Sequence, residues 1–402
     1  MPRLFGNVLI VVPLHNPDLH WSHVDGLKDF CAETFLLEYF TSIKERGIRG
    51  TQARIEEMIG EKRIEVVILT LFADSFQFPL EFFARLRRKV KVVFMNMDDE
   101  NYFDVHGKFY GQTADAVITS DRFAVAAYAR IGVPAVLYLA QYSRKIYHPV
   151  EVPRDIDVSF IGDCAKCDRA EFLRFLADNG IAVESFGYGS RNGYVEYADI
   201  SRVMSRTKVN LNFTKMVTPE FLREDDPLHV RVRQNKGHAI EAALARSFCL
   251  SEYAPSLPFI FEIGKEIDWF DDRRSLLERV RYYLSHDSER EAMAANAYAR
   301  AREEYLQEAG FPRMLGELHE MLQGDAPHRI SQPPTVLKNA RFKARQTSAW
   351  FVCWLAALRR GQWRIAMGLL PDFLRYGPWI LLCGLSGGAR RAFDLYRAKR
   401  GG

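Results

Sequence analysis

QNKGHAIEAALARSFCLSEYAPSLPFIFEIGKEIDWF, residues 234–270, decides how this chain is read. Residues 239–245 are good helix formers, and 247–250 form an apolar run of the length of a buried parallel strand. A Pro-punctuated loop and a second short strand complete one αβ unit. Lys236, Gly237 and His238 stand just before the helix, where free backbone N–H groups and the positive end of the dipole favour an anion. Glu241 in that first turn has two readings: an acid that complements the dipole, or a group held for a ligand.

Outward from this unit the same alternation continues. Upstream, short apolar runs at 158–161, 182–186 and 208–213 alternate with helical stretches at 169–179 and 198–206; downstream, helices are expected at 275–284, 288–308 and 311–322. The segment 148–155, HPVEVPRD, reads as an interdomain linker. Before it, Val/Ile/Leu runs at 7–12, 64–69, 90–94, 116–119 and 135–139 alternate with helical stretches, the first expected at 27–46. This is the pattern of parallel sheets covered on both faces. The expected architecture is α/β: a doubly wound domain at 1–150, a second at 151–330 and a C-terminal tail at 331–402. In such sheets ligands bind at the carboxyl ends of the strands, so the loops there are where chemistry is sought.

Composition agrees. The chain has 402 residues, 48% apolar and 26% charged, enough for two sizeable cores. The opening apolar run breaks at Pro13 and is a strand, not a signal peptide. Six scattered cysteines form no disulfide framework and fit a reducing, cytoplasmic setting. The net charge of +4 hides an asymmetry: from Lys338 onward 13 Lys and Arg face two acids, a net of +11, and the remainder is at −7.

Several loops carry chemistry. In FIGDCAKCDRAEF, residues 160–172, Gly162 permits close backbone approach and Lys166 and Arg169 lie at a helix start, a combination suited to phosphate. Cys164 and Cys167 lack two further zinc ligands and read as a chance pair. The loop GYGSRNG, 187–193, is either a glycine-rich turn or a place where Tyr188 stacks on a nucleobase. His15, His20 and His23 fit no recognised ligand set, so no metal site is expected. Asp98 and Asp99 follow a strand and either accept a proton from an acceptor hydroxyl or cap the next helix.

Four segments together, VSFIGDCAKCDRAEFLRFLADNGIAVESFGYGSRNG, KVNLNF, KGHAIEAALARSFCLSEY and FEIGKEIDWFDDRRSLLERVRYYLSHDSEREAMAANA, resemble the GT-B glycosyltransferases, enzymes of two facing Rossmann-like domains. The branch is the family-4-like one (group 1) that includes the spore-maturation-type enzymes, and the resemblance covers residues 157–322. It implies transfer of a sugar from a nucleotide-diphosphate donor with retained configuration, without a bound metal or cofactor. It implies that Glu241 holds the ribose hydroxyls and that Lys236 and Arg169 lie near the diphosphate. Gly162, Tyr188, His238 and Glu252 join Glu241 on the donor side, while Lys236, Arg169, Asp98 and Asp99 are the groups expected in catalysis. Two positions depart from the family: Arg233 stands where many relatives have a second acid, and His238 where Arg is common. A rival expectation is a non-catalytic sugar-nucleotide-binding or scaffold protein. A third is another enzyme of this shape, a sugar phosphorylase or epimerase.

The tail is an independent signal. Trp350, Trp354, Trp363 and Trp379 are four of the six tryptophans, and Arg359, Arg360 and Arg364 stand among them at helical spacing. Such helices lie in the plane of an anionic membrane, or else pack on the body or bind an acidic partner. The apolar run 379–385 is too short to span a bilayer. The combined expectation is an enzyme at the inner face of the cell membrane, acting on a lipid-linked or cell-envelope glycan acceptor and binding no nucleic acid.

Overall fold

The computed structural model describes residues 3–14, 23–71, 78–139, 142–216, 233–234, 237–324, 354–355, 357–368 and 370. The chain divides into two compact units: one built from residues up to Leu137 and again from Met314 onward, the other from Tyr138–Arg313 with His23.

The first unit contains strands β1 (Phe5–Val12), β2 (Cys31–Glu38), β3 (Ile64–Leu69), β4 (Lys91–Asn96), β5 (Ala116–Thr119) and β6 (Ala135–Leu137). All pair in parallel, in the order β2-β1-β3-β4-β5-β6. Val, Ile and Leu side chains are buried along β1, β3, β4 and β5, as a sheet covered on both faces requires. An aromatic cluster of Phe78, Phe82, Phe83, Phe94 and Tyr110 meets largely edge to face on one side. The Tyr110 hydroxyl donates to the Phe78 carbonyl at 2.7 Å.

One element differs from the sequence reading. In place of a helix over 27–46, the structure has β2 on the edge beside β1 and then the helix Tyr39–Glu61, kinked at Gly47, whose φ is 72°. CAETFLLE is mostly exposed or half-buried. Pairing with β1, a partner distant in sequence, makes it a strand; local periodicity does not.

The second unit contains β7 (Ile156–Ile161), β8 (Glu184–Phe186), β9 (Thr207–Asn212), β10 (Cys249–Glu252) and β11 (Asp268–Phe270), all parallel, in the order β11-β10-β9-β7-β8. Alternate residues of β7 and β9 point to opposite faces. Val158, Phe160, Val209 and Leu211 enter an apolar cluster with Phe172, Phe270 and Leu276. On the other face a buried polar ladder runs across the strands. Thr207 Oγ1 donates to Ser159 Oγ at 3.0 Å, Asn210 Nδ2 to Ser247 Oγ at 2.8 Å, and Asn212 Nδ2 to Ser251 Oγ at 2.8 Å. Asn212, which opens the formal glycosylation sequence Asn212-Phe213-Thr214, is thus a buried structural residue. The alanine-rich helix His238–Leu244 packs against β9 and β10.

Arg154, within the stretch that reads as a linker, anchors this unit. Its Nη1 donates to the carbonyls of Ser205 and Thr207 and to Ser247 Oγ at 3.0–3.2 Å, its Nη2 to the Arg246 carbonyl at 2.8 Å, and its Nε pairs with Glu291 at 2.7 Å. Removing a charged donor shared among several carbonyls withdraws one hydrogen bond from each of them. Arg154→Ala is expected to lower stability by about 2 kcal/mol, read as a lower urea midpoint; an unchanged midpoint would mean that water replaces the guanidinium at no cost.

Candidate functional site

The strand order of the second sheet reverses between β7 and β9, because β7 connects outward to β8 and the chain then returns to the other side of β7. In parallel sheets ligands bind in the crevice that opens there, outside the carboxyl ends of the strands. Among the described residues, Gly162, Arg169, Tyr188, His238 and Glu241 collect at that edge.

At the end of β7, Gly162 adopts φ +153° and its N–H donates to the Phe186 carbonyl at 2.8 Å. Gly187, at the end of β8, adopts φ +114°, and a Cβ there would lie 2.3 Å from the Gly162 oxygen. Two glycines therefore let the backbones meet where side chains would not fit. The Gly187 N–H closes the following loop on the Gly193 carbonyl at 2.6 Å, which leaves Tyr188 presented outward and 61% exposed.

Arg169 opens the helix Arg169–Asp178 yet is itself buried, its guanidinium over the Phe160 ring and its Nη1 on the Asp163 carbonyl at 2.9 Å. Its Nε has no hydrogen-bond partner among the described residues, and burial pulls the guanidinium below its usual range. An unspent N–H on a buried cation is an anion-ready group. Cys164 is buried and Cys167 exposed; both are free thiols that burial pushes up.

Glu241 is buried beneath this edge. Its Oε1 accepts from the Tyr147 hydroxyl at 3.2 Å and its Oε2 lies 2.5 Å from His238 Nδ1. The other ring nitrogen of His238 bonds the carbonyl of Ile161, the last residue of β7. Gly237 is needed for the same packing, since a Cβ there would lie 2.5 Å from the Tyr142 hydroxyl and 3.1 Å from Glu241 Oε1. Tyr142 and Tyr147 were missed by sequence reasoning. They lie ahead of β7, a hundred residues from Glu241, and no spacing rule connects them.

Glu252, at the end of β10, accepts at Oε2 from the amides of Thr214 and Lys215 at 2.8 and 2.9 Å, and its Oε1 pairs with Arg233. Arg233, where many relatives have an acid, here neutralises a buried one. Lys215 Nζ pairs with Asp168 at 2.6 Å. Lys236 lies outside the described residues.

In the first unit, Asp98 and Asp99 follow β4. Asp98 precedes the short helix Asp99–Tyr102 but makes no side-chain cap bond to it. Asp99 is buried, accepting from Thr119 Oγ1 at 2.7 Å and from the Tyr128 hydroxyl at 3.0 Å, and Tyr128 in turn accepts from Asn96 Nδ2 at 2.7 Å. Burial, only partly offset by the hydroxyls of Thr119 and Tyr128 and reinforced by Asp121 and Asp98, pushes its carboxyl up to about 7. Gly107 closes the cluster: a Cβ there would fall 2.3 Å from Asp99 Oδ1.

Of the tail, Trp363 and Met367 are 64% and 61% exposed, one helical turn apart, with Arg360 and Arg364 exposed beside them. Arg359 is exposed and Trp354 half-buried. Ala357 and Ala366 face inward. Trp350 and Trp379 lie outside the described residues, as do His15 and His20. Among the described residues no helix is long and apolar enough to cross a membrane, and no group of His, Cys, Asp or Glu is placed to hold a metal ion.

Residues 169–314 match the model of a family described as glycosyl transferase-like. No curated protein matches the sequence. Among solved structures, Anabaena Alr3699/HepE in complex with UDP is similar over 79% of this chain and 99% of its own, with a TM-score of 0.55 at 11% identity. A glycosyltransferase from Rickettsia africae is similar over 80% and 99%, with a TM-score of 0.56 at 8% identity. Sucrose-phosphate synthase from Thermosynechococcus elongatus is similar over 79% and 98%, with a TM-score of 0.54 at 12% identity. With its two doubly wound parallel sheets, the chain has the GT-B fold, and residues 169–314, most of its second unit, match the model of the glycosyl transferase-like family.

Proposed function

We propose that the protein is a glycosyltransferase that moves a sugar from a nucleotide-diphosphate donor to a lipid-linked or cell-envelope glycan acceptor, at the inner face of the membrane. The observation that carries this reading is the convergence of the Gly162 turn, the buried Arg169 and the Glu241 carboxylate at the switch point of the second sheet. The glycosyl transferase-like match over residues 169–314, which include Arg169 and Glu241, supports it. Glu241 holds the ribose hydroxyls, since a carboxylate accepts up to about four hydrogen bonds. Tyr188 offers its exposed face to the base. When the anomeric C–O bond breaks, the electron pair leaves with the nucleotide diphosphate, and Arg169 and Lys236 stabilise the charge, so no bound metal or cofactor is required. The acceptor oxygen bonds the anomeric carbon, with retained configuration, and its proton passes to a carboxylate acting as general base; Asp98 and Asp99 are the groups proposed for that side of the reaction. Because Alr3699/HepE has been solved with UDP and with UDP-glucose, UDP-sugars are the first donors to try.

One observation favours the rival, a donor-binding protein without turnover: two of the basic residues at this edge, Arg233 and His238, are engaged by Glu252 and Glu241. Incubation with a panel of nucleotide-sugars separates the two, since slow donor hydrolysis marks an enzyme and binding without turnover under every acceptor marks the rival. The membrane assignment draws on Trp363 and Met367 flanked by Arg360 and Arg364.

Glu241→Ala is expected to weaken nucleotide binding at least tenfold by calorimetric titration, the equivalent of about 1.4 kcal/mol; wild-type affinity would remove its assigned role. For the tail, the full chain is expected to float with anionic liposomes, and the double variant Trp363→Ser, Arg364→Glu to float less. Equal distribution of the two proteins sinks the membrane reading.

A further inference from the structure

We propose that His238 is an imidazolium with both N–H groups committed inside the protein, one to Glu241 and one to the Ile161 carbonyl. In this role it positions the ribose-binding acid and does not touch phosphate, so donor affinity weakens as pH rises. The proposal rests on Glu241 being the ribose ligand.

The argument starts from hydrogen-bond inventory. Nδ1 faces Glu241 Oε2 at 2.5 Å and Nε2 faces a backbone carbonyl oxygen. Neutral imidazole has one N–H and one lone pair. With Glu241 ionised, either neutral tautomer sets that lone pair against an oxygen lone pair, and the doubly protonated ring satisfies both contacts. With both N–H groups used, His238 has none for a diphosphate, although it stands where relatives commonly carry Arg. Its geometry instead fixes two things at once. It ties the first turn of the His238–Leu244 helix to the last carbonyl of β7, and it holds one carboxylate oxygen of Glu241 while Tyr147 donates to the other.

The charged groups around the ring agree in sign. Burial disfavours the imidazolium, but the Glu241 carboxylate, its hydrogen bond and the Ile161 carbonyl outweigh burial and the opposing charge of Arg169, so His238 titrates above its ordinary 6.5. The Phe160 ring also meets the imidazole edge to face. Around Glu241 stand Tyr147, Tyr142, Tyr197 and Cys249. Burial and the Glu241 charge push Tyr147, Tyr197 and Cys249 upward, so they stay neutral through the same range. A group whose folded value is raised holds its contacts below the ordinary value and loses them as pH rises through the raised one. Deprotonation of His238 then turns one of its two contacts repulsive and releases Glu241.

The test uses the full-length protein in two arms. In the first, histidine labelled with 15N is followed by NMR, with the His238 signals identified by their loss in His238→Gln. Both ring nitrogens are expected to be protonated at pH 7; a ring with one bare nitrogen overturns the proposal. In the second, the tightest binder among UDP, GDP, CDP and ADP is titrated between pH 6 and pH 9. Wild type is expected to weaken about tenfold across the range, the loss of one charge-assisted hydrogen bond. His238→Arg, which keeps two donors at every pH, should bind with a flat profile, and His238→Gln should bind weakly throughout. A flat wild-type profile, or wild-type affinity in His238→Gln, also overturns it. A bare ring nitrogen alongside weak binding by Glu241→Ala defeats this proposal alone. A doubly protonated ring alongside undiminished binding by Glu241→Ala defeats the ribose assignment instead.

Discussion

Every strand pair in both sheets is parallel, and this constraint governs the rest of the molecule. Parallel neighbours cannot be joined by a tight turn, so each connection crosses over a face of the sheet. All strands then end at the same edge, and the loops that leave them crowd together there. In the second unit the order reverses beside β7, which parts the departing loops around Ile161 and Gly162. The Gly162 and Gly187 backbones, Arg169 and Glu241 meet around that point because the winding of the sheet brings them to it.

Buried charge at this edge is distributed in two ways. Glu252 is consumed by structure: two amides and Arg233 take up its oxygens and hold the chain after β9 to the end of β10. Arg169 is buried to a similar depth but keeps an N–H without a partner among the described residues. A buried donor left unpaired costs free energy in the empty protein, a cost that an anionic ligand can offset. The His238–Glu241 pair lies between these extremes, internally bonded but adjustable by one proton.

Much of this was legible in the chain. Short Val/Ile/Leu runs separated by helical stretches locate most of the described strands, because a strand buried on both faces needs continuous apolar sequence wherever it occurs. The missing strand, β2, is an edge strand in which CAETFLLE is only partly buried, so the signal that reveals the others is absent. Glu241 was conspicuous as an acid beside a basic, glycine-containing turn. Tyr147 was not, because nothing local marks a tyrosine whose hydroxyl meets a carboxylate 94 positions away. Arg154 carries the same lesson: it sits in a Pro-containing stretch that reads as a linker, and its bonds to β9 and to the turn after the His238–Leu244 helix exist only once the sheet has formed.

The sequence by itself determined the α/β class, the parallel winding and the residue types at the strand ends, because hydrophobic periodicity and glycine placement are local properties that survive in any context. Tertiary structure alone decided which of those residues are spent and which remain available. Arg233, His238 and Arg169 are all cations on loops or at helix starts, indistinguishable by pattern. One is neutralised by Glu252, one bridges Glu241 and Ile161, and one keeps, over Phe160, an N–H with no partner among the described residues. Those fates depend on which acceptor the fold brings within about 3 Å, and that distance is set by crossover connections spanning tens of residues.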